Sequence, residues 1–442
     1  MKKFISTISL CLACCSGFAQ ELTLRECIDM GIKQNLSLNK SHISTDIANG
    51  RLSENQNRLL PVLNANFQFT DYLIQPTNVT TGALLDADFP DNPTWQQIRS
   101  MQYGVSTGIQ LSMPIFNKSI FSGIDVAKTL VDISRISTEQ AENELTVTIA
   151  NTYYLAQASN EQAKLLQGNI KRMQELYEIT QAMYERGVVM EVDLSRVRIN
   201  ISNIDVIRQQ YVTIYNQQIN LLRFLLDISP EQEISVSEMA QDFTSTNIGG
   251  VSDNLPELRW LAGQKELIGK QIKTVKSGYF PAVALFGQLG VNGFQDNFKG
   301  FFKDNKHHWF GNSLLGIRIS VPIFDGNIRK KKISTYRLEL AKTDIMMDER
   351  RKALIRDFNN VSEKLQLSLS SFHAQQSNYT QALNVFNVTE ERYKEGVASM
   401  TDLLQDEMRM RESQVACIHA LYECNLAYVQ TLKLSDNLNQ LK

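Results

Sequence analysis

Proline is missing from two very long stretches of this 442-residue chain, Ile115 to Ser229 and Ile323 to Lys442. Proline breaks helix interiors, and both stretches abound in Gln, Glu, Lys, Arg, Leu, Ile and Ala, so its absence leaves room for uninterrupted helices. No run of about 18 consecutive apolar residues occurs, which excludes a transmembrane helix. Strong positive charge is lacking too. A formal net charge of −2 excludes a nucleic-acid surface, and no nucleic-acid partner is expected. Catalytic signatures are missing. No Gly-rich phosphate loop or Gly-x-Ser-x-Gly is present, nor any Cys-x-x-Cys beyond the first 20 residues. His42, His307, His308, His373 and His419 show no metal-ligand spacing. The reading is therefore no enzyme, no metal and no cofactor. Cysteine is scarce: beyond Cys11, Cys14 and Cys15 there remain Cys27, Cys417 and Cys424. An odd number excludes a fully paired disulfide framework. On one helix Cys417 and Cys424 would lie about 10 Å apart along the axis, too far for a bridge.

The chain opens with Met1-Lys2-Lys3, an apolar run from Phe4 to Ala13, and Ser16-Gly17-Phe18-Ala19-Gln20. A positive start, a short apolar centre and small residues before a cut describe a signal peptide, residues 1–19, cleaved after Ala19. Lipid attachment at Cys14 or Cys15 is the alternative. Loss of Lys2 and Lys3 takes the net charge from −2 to −4.

The remainder is written twice. Tyr184-Glu185-Arg186-Gly187-Val188-Val189-Met190-Glu191-Val192-Asp193-Leu194 returns as Tyr393-Lys394-Glu395-Gly396-Val397-Ala398-Ser399-Met400-Thr401-Asp402-Leu403. Pro114-Ile115-Phe116 returns 208 residues later as Pro322-Ile323-Phe324, and Pro61 returns 220 residues later as Pro281. The 12-residue mismatch falls between Pro61 and Pro114, inside one connection. Such duplication predicts two structural repeats, 20–230 and 255–442, joined by a polar, irregular linker at 231–254.

Each repeat predicts the same parts. A shorter helix comes first, Thr23–Asn57 and Leu255–Lys276. Long helices then follow over Lys118–Arg186 and Asn327–Glu395, each roughly 100 Å at 1.5 Å per residue. Narrow stripes mark them: Leu145, Ile149, Thr152, Leu155, Ala156 and Ser159 in the first, and Leu354, Phe358, Val361, Leu365 and Leu369 in the second. Helices of this length are at home in coiled coils. Gly187 and Gly396 end them, and Val192–Asp227 and Thr401–Leu434 run back.

Between short and long helices lie alternating segments. Leu63, Ala65, Phe67 and Phe69 alternate with Asn64, Asn66, Gln68 and Thr70. Residues 103–113, 283–292 and 315–321 alternate in the same way. One apolar and one small or polar face suits strands with lipid outside and water inside. The connections Leu73–Arg99 and Phe294–Phe310 carry Trp95, Trp309, Phe298, Phe301, Phe302 and Phe310, which suits a membrane interface. Four strands cannot close a barrel, and open edges do not exist in lipid. Three chains supply twelve strands, which makes the expected protein a homotrimer in contact with outer-membrane lipid.

Together these features resemble the TolC-like outer-membrane efflux protein family. The resemblance is carried by the duplication, by Met113-Pro114-Ile115-Phe116 and Val321-Pro322-Ile323-Phe324-Asp325-Gly326, and by the Tyr-x-x-Gly turns. Asn35-Leu36-Ser37-Leu38 and Leu255-Pro256-Glu257-Leu258 each stand 23 residues before a repeated proline. The first resembles the family's Asn-Pro-x-Leu, with Leu36 in place of proline. The fold so implied is a mixed α/β membrane protein: a trimeric 12-stranded outer-membrane β-barrel, four strands per chain, continuous with a coiled-coil periplasmic tunnel. The implied function is passive export in a tripartite efflux or type I secretion system of a Gram-negative bacterium. The implied partners are a periplasmic adaptor and an inner-membrane pump of RND or ABC type.

The resemblance also implies site residues. Asp402 matches the first carboxylate of a pore constriction, the second falls on Gln405, and Asp406 comes one position later. Tyr393 and Asp193 match a closed-state latch, in which a tyrosine hydroxyl can meet a carboxylate; the latch arginine falls on Ala398. Gly187, Val188 and Val189, with Gly396, Val397 and Ala398, match the tips that meet the adaptor. The competing reading is a non-channel periplasmic coiled-coil adaptor or structural stalk, which would share the helices but has no use for amphipathic strands.

Overall fold

The computed structural model describes residues 20–81, 95–239, 250–302 and 309–441. The signal segment, His307, His308 and residues 240–249 of the linker lie outside the described residues. The chain forms two compact units that interleave in sequence: residues 1–45, 134–262 and 345–442 in one, and residues 46–133 and 263–344 in the other.

The smaller unit holds a four-stranded antiparallel sheet. Its strands are β2 (Val62–Asp71), β5 (Tyr103–Asn117), β7 (Ala282–Gln295) and β8 (Trp309–Ser320), hydrogen-bonded in that order. The register aligns like with like across β2, β5 and β7, with Ser313 and Leu314 of β8 as exceptions. Leu63, Leu111, Gly287 and Leu315 form one row across the sheet, and Ala65, Ile109, Leu289 and Ser313 another. The rows between them hold Asn64, Gln110, Gln288 and Leu314, then Asn66, Gly108, Gly290 and Asn312. A one-residue slip would mix the faces, so the alternation itself specifies this register. Pro114 cannot donate to the ladder, and β5 carries a register shift between Pro114 and Phe116.

The expected connection 73–99 is not all loop: β3 (Thr77–Thr81) and β4 (Trp95–Arg99) pair within it. At the same end of the main sheet a short 3-10 turn, Phe298–Phe302, brings Phe298 within 5.7 Å of Phe69 and 6.0 Å of Tyr103, ring centroid to centroid. At the other end the strands join helices. Lys118 Nζ sits 3.4 Å over the Phe280 ring, and Ser122 and Ser277 share a 2.6 Å hydroxyl contact.

The larger unit contains most of the helical mass. The long helices are α3 (Lys118–Glu185) and α6 (Ile328–Lys394), and the return helices are α4 (Glu191–Leu226) and α7 (Met400–Leu434). All were expected within a residue or two. The short helix α5 (Pro256–Ser277) also stands as predicted. The expected single helix Thr23–Asn57 is instead two, α1 (Leu24–Gln34) and α2 (Leu36–Asn57). Asn35 breaks it. Its buried amide oxygen accepts from Ser37 N and Leu38 N at 2.9 and 3.0 Å, capping α2, while Nδ2 donates to Leu225 O at 2.9 Å. Leu36 takes the first helical position, where a proline is equally well placed.

One core of this unit gathers Leu22, Cys27, Ile28, Ile149, Tyr153, Leu222, Leu226, Val429 and Leu432. Burial pushes the Cys27 thiol up to about 12, with the Glu26 charge adding to it. The linker contributes here. Strand β6 (Ile234–Val236) pairs in parallel with β1 (Gln20–Leu22), and the Tyr153 hydroxyl donates to Leu22 O at 2.9 Å and meets Ser237 Oγ at 2.7 Å. A second core joins both hairpins through Leu166, Met173, Leu176, Val197, Ile204, Phe386, Leu403 and Met410.

Candidate functional site

Both long helices end in the same hydrogen-bond pattern. Gly187 N donates to Tyr184 O at 2.8 Å and Val188 N to Met183 O at 2.9 Å. Gly396 N donates to Tyr393 O at 2.9 Å and Val397 N to Arg392 O at 2.8 Å. This is the Schellman closure, which needs a left-handed residue after the helix. Gly187 and Gly396 supply it at φ +74° and +76°. The closure leaves Val188 and Val397 exposed at the turn tips, beside exposed Met190. Apolar side chains held in solvent by a rigid turn form a contact surface.

Just past the second tip, Ser399 and Asp402 cap α7 reciprocally. Asp402 N donates to Ser399 Oγ at 3.2 Å, while Ser399 Oγ donates to Asp402 Oδ2 at 2.7 Å. Asp402 and Gln405 are both exposed and lie three residues apart, on one face of α7. Asp406 is half-buried and engaged: it accepts from Thr389 Oγ1 at 2.8 Å and meets Arg409 at 3.5 Å. An exposed carboxylate, Asp402, therefore stands apart from an internally paired one.

Within one chain, Tyr393 and Asp193 each hydrogen-bond to other residues. The buried Tyr393 hydroxyl meets Thr180 Oγ1 on α3 at 3.2 Å. Burial raises its pKa above the ordinary tyrosine value; the Thr180 hydrogen bond opposes this, and the Asp193 charge adds to it. Asp193 instead holds Arg196, which spans the hairpins by donating to Thr401 Oγ1 at 3.2 Å. Arg196 thus sets a guanidinium between the two hairpins. Thr180, Arg196 and Thr401 carry no signal in the sequence, because their cross-hairpin partners lie 205 or more residues away.

The third feature is the sheet face. Leu63, Phe67, Ile109, Leu289, Leu315, Ile317 and Ile319 all point to one side and all are exposed. A contiguous apolar surface this wide does not persist in water. Among the described residues no helix is long and apolar enough to cross a membrane, which bears on helices alone. Among them, too, no group of three or more His, Cys, Asp or Glu is arranged to hold a metal.

The profile of the outer membrane efflux protein family matches residues 28–225 and 250–434. The chain belongs to the outer membrane efflux protein family. That membership places it in the outer membrane of a Gram-negative bacterium, in a family that is not one of enzymes. Among its relatives, the probable efflux pump outer membrane protein TtgC of Pseudomonas putida is 24% identical over 300 residues. That alignment takes in 64% of this chain and spans 59% of the relative's length. The alkaline protease secretion protein AprF of Pseudomonas aeruginosa is 21% identical over 74% of this chain and 68% of its own. The Campylobacter jejuni CmeC outer membrane channel has the same fold, with a TM-score of 0.74 at 16% identity, over 94% of this chain and 85% of that one.

Proposed function

We propose that three copies of this efflux protein close a twelve-stranded barrel in the outer membrane and continue as a twelve-helix periplasmic duct. Through it substrates from an inner-membrane transporter leave the cell passively. The observation that carries the proposal is the sheet: one apolar exposed face, one polar face, and two edges, β2 and β8, open to pair with further chains. The strands run 10 to 15 residues, enough to cross the hydrocarbon layer at a tilt. A periplasmic stalk would leave that face without a role. Under this reading residues 20–230 and 255–442 are the two repeats, joined by 231–254 after cleavage of 1–19. The tips Gly187–Val189 and Gly396–Ala398 meet a periplasmic adaptor, and the energy comes from an RND or ABC pump. Relatives named for both efflux and protease secretion leave the transporter class open.

The test is single-channel conductance of the detergent-purified mature protein, with its mass determined in the same sample. A trimer with discrete, cation-preferring openings is expected. A folded, detergent-independent monomer without conductance would return the molecule to the stalk reading.

Three Asp402 carboxylates around one pore would draw cations. Asp402→Asn is expected to lower the cation-to-anion permeability ratio severalfold, and Asp406→Asn to change it less, since Asp406 is already paired. Equal ratios in wild type and Asp402→Asn, read from reversal potentials, would remove the ring. The latch under this reading comprises Tyr393 and Asp193 acting through Thr180, Arg196 and Thr401. Tyr393→Phe combined with Asp193→Ala is expected to raise resting conductance at least severalfold in the same bilayers. A double variant as quiet as wild type would remove the latch.

A further inference from the structure

Beyond the sheet, at the end that joins the helices, lies a cleft of about 530 Å³. It is lined by the end of α5, the segment Pro322–Asn327 after β8, and the first turns of α6. Its cations are Lys276, Arg329, Lys330 and Arg337, against a single carboxylate, Asp325. Arg329 is engaged, paired with Asp325 at 3.3 Å and stacked 5.3 Å from the Tyr279 ring. Lys276, Lys330 and Arg337 have no carboxylate partner among the described residues. The same cleft presents Ile323 and Phe324, 95% and 82% exposed, which carry the apolar surface of β8 past its last strand residue.

Apolar groups directed at one layer and unpaired cations beside them match an anionic amphiphile. We infer that the cleft binds an anionic phospholipid of the periplasmic leaflet, its phosphate held by Lys276, Lys330 and Arg337 and its acyl chains laid along Ile323 and Phe324. This rests on the reading of the sheet as membrane-embedded. On that reading the hydrocarbon ends where the apolar rows end, near Val283 and Ile319, and the phosphate layer comes next, at the level of the cleft. Charge complementarity selects the headgroup: each basic residue near a membrane surface is worth about fivefold in binding an anionic lipid. Tyr279 and Phe280, both about half exposed, stand at the same level, where aromatic rings settle at the interface.

The experiment is native mass spectrometry of the full mature protein in detergent, with equal additions of phosphatidylglycerol and phosphatidylcholine. The wild type is compared with the triple variant Lys276→Gln, Lys330→Gln, Arg337→Gln, and with a control triple on exposed cations of α6 farther from the sheet, Lys342→Gln, Lys352→Gln, Arg356→Gln. Wild type and control are expected to retain phosphatidylglycerol at least tenfold over phosphatidylcholine. The cleft variant is expected to lose that preference while keeping its oligomeric mass and conductance. Equal retention of both lipids by wild type, or an undiminished preference in the cleft variant, overturns the inference. If the cleft variant keeps the preference but no longer supports export, the cations serve an acidic protein partner instead. A protein that stays soluble and monomeric without detergent fails the membrane reading itself, and is distinguished by its mass alone.

Discussion

Leu315→Arg is expected to abolish recovery of the assembled oligomer from the membrane, while Asn64→Arg is expected to leave it nearly unchanged. Both residues are exposed and both lie in the interior of a strand. They differ in the face they occupy. Leu315 shares its row with Leu63 and Leu111, and Asn64 shares its row with Gln110 and Gln288. An arginine on the lipid face near the midplane costs about 2–4 kcal/mol per chain. In a trimer the cost is borne three times, on the order of 6–12 kcal/mol, comparable with the whole stability of an ordinary domain. An arginine on the polar face points into water and carries no such cost. The readout is the heat-modifiable oligomer band in outer-membrane extracts of the two variants at matched expression. Equal recovery of the two would mean that the apolar face does not meet lipid, and the barrel would go with it. The comparison is sharp because each variant gains one positive charge in an exposed position of an edge strand, on opposite faces of the sheet.

The long helices were legible because their punctuation is strong and local. Proline is excluded for more than a hundred residues in each stretch, and a left-handed glycine closes each helix. The strand faces were legible because period two survives in any register, and the structure aligns the rows as that alternation requires. What escaped the sequence depends on distant partners. Asn35 breaks a helix that local propensity would continue, because its amide is held by a carbonyl 190 residues away. The β1–β6 ladder is three residues long and pairs the start of the described chain with the linker, too short to show periodicity. Arg196 looks like any exposed helix residue until Thr401 is brought beside it. The candidate site divides in the same way: turn tips and the cap at Asp402 are written locally, whereas the bonds of Tyr393 and Arg196 belong to the packing of two hairpins. In one chain the sheet is legible only as a contradiction, four strands with open edges and a lipid-type face, which the proposed trimer would resolve.

Glu407→Ala is expected to loosen the hairpins. Glu407 is 1% exposed on α7, five residues beyond Asp402. Its Oε2 accepts from Asn200 Nδ2 on α4 at 3.1 Å, and its Oε1 lies 3.4 Å from Arg411 Nε without forming a hydrogen bond. Arg172 on α3, whose guanidinium sits 5.6 Å from the Phe386 ring on α6, adds a second positive charge. Its Nη1 is buried with no hydrogen-bond partner among the described residues. Four helices thus meet at a buried, incompletely satisfied charge cluster. Deleting the whole side chain leaves a void, removes the acceptor of Asn200 and takes the cluster's carboxylate from two guanidiniums, and breaking a buried pair by removing one partner costs about 3–5 kcal/mol. A protonated carboxyl, by contrast, keeps its volume and its bond to Asn200. Replacing both members of the pair, Glu407→Leu with Arg411→Leu, removes that uncompensated charge and is expected to recover at least about 1 kcal/mol of the loss. Burial raises the Glu407 pKa above the ordinary carboxylate value, with Arg411 the largest opposing influence. The sign follows. The native state holds the proton more tightly than the unfolded chain, so the strain of the charged form is fully present above the folded pKa and is relieved as pH falls through it. Amide hydrogen exchange in α4 and α7 reads all three outcomes. Protection should fall on the order of a hundredfold or more in Glu407→Ala and partly return in the double variant. In wild type it should improve on mild acidification relative to Glu407→Gln, which has no carboxylate to protonate. Glu407→Ala with wild-type protection in both helices would show that the cluster contributes nothing to holding the hairpins together.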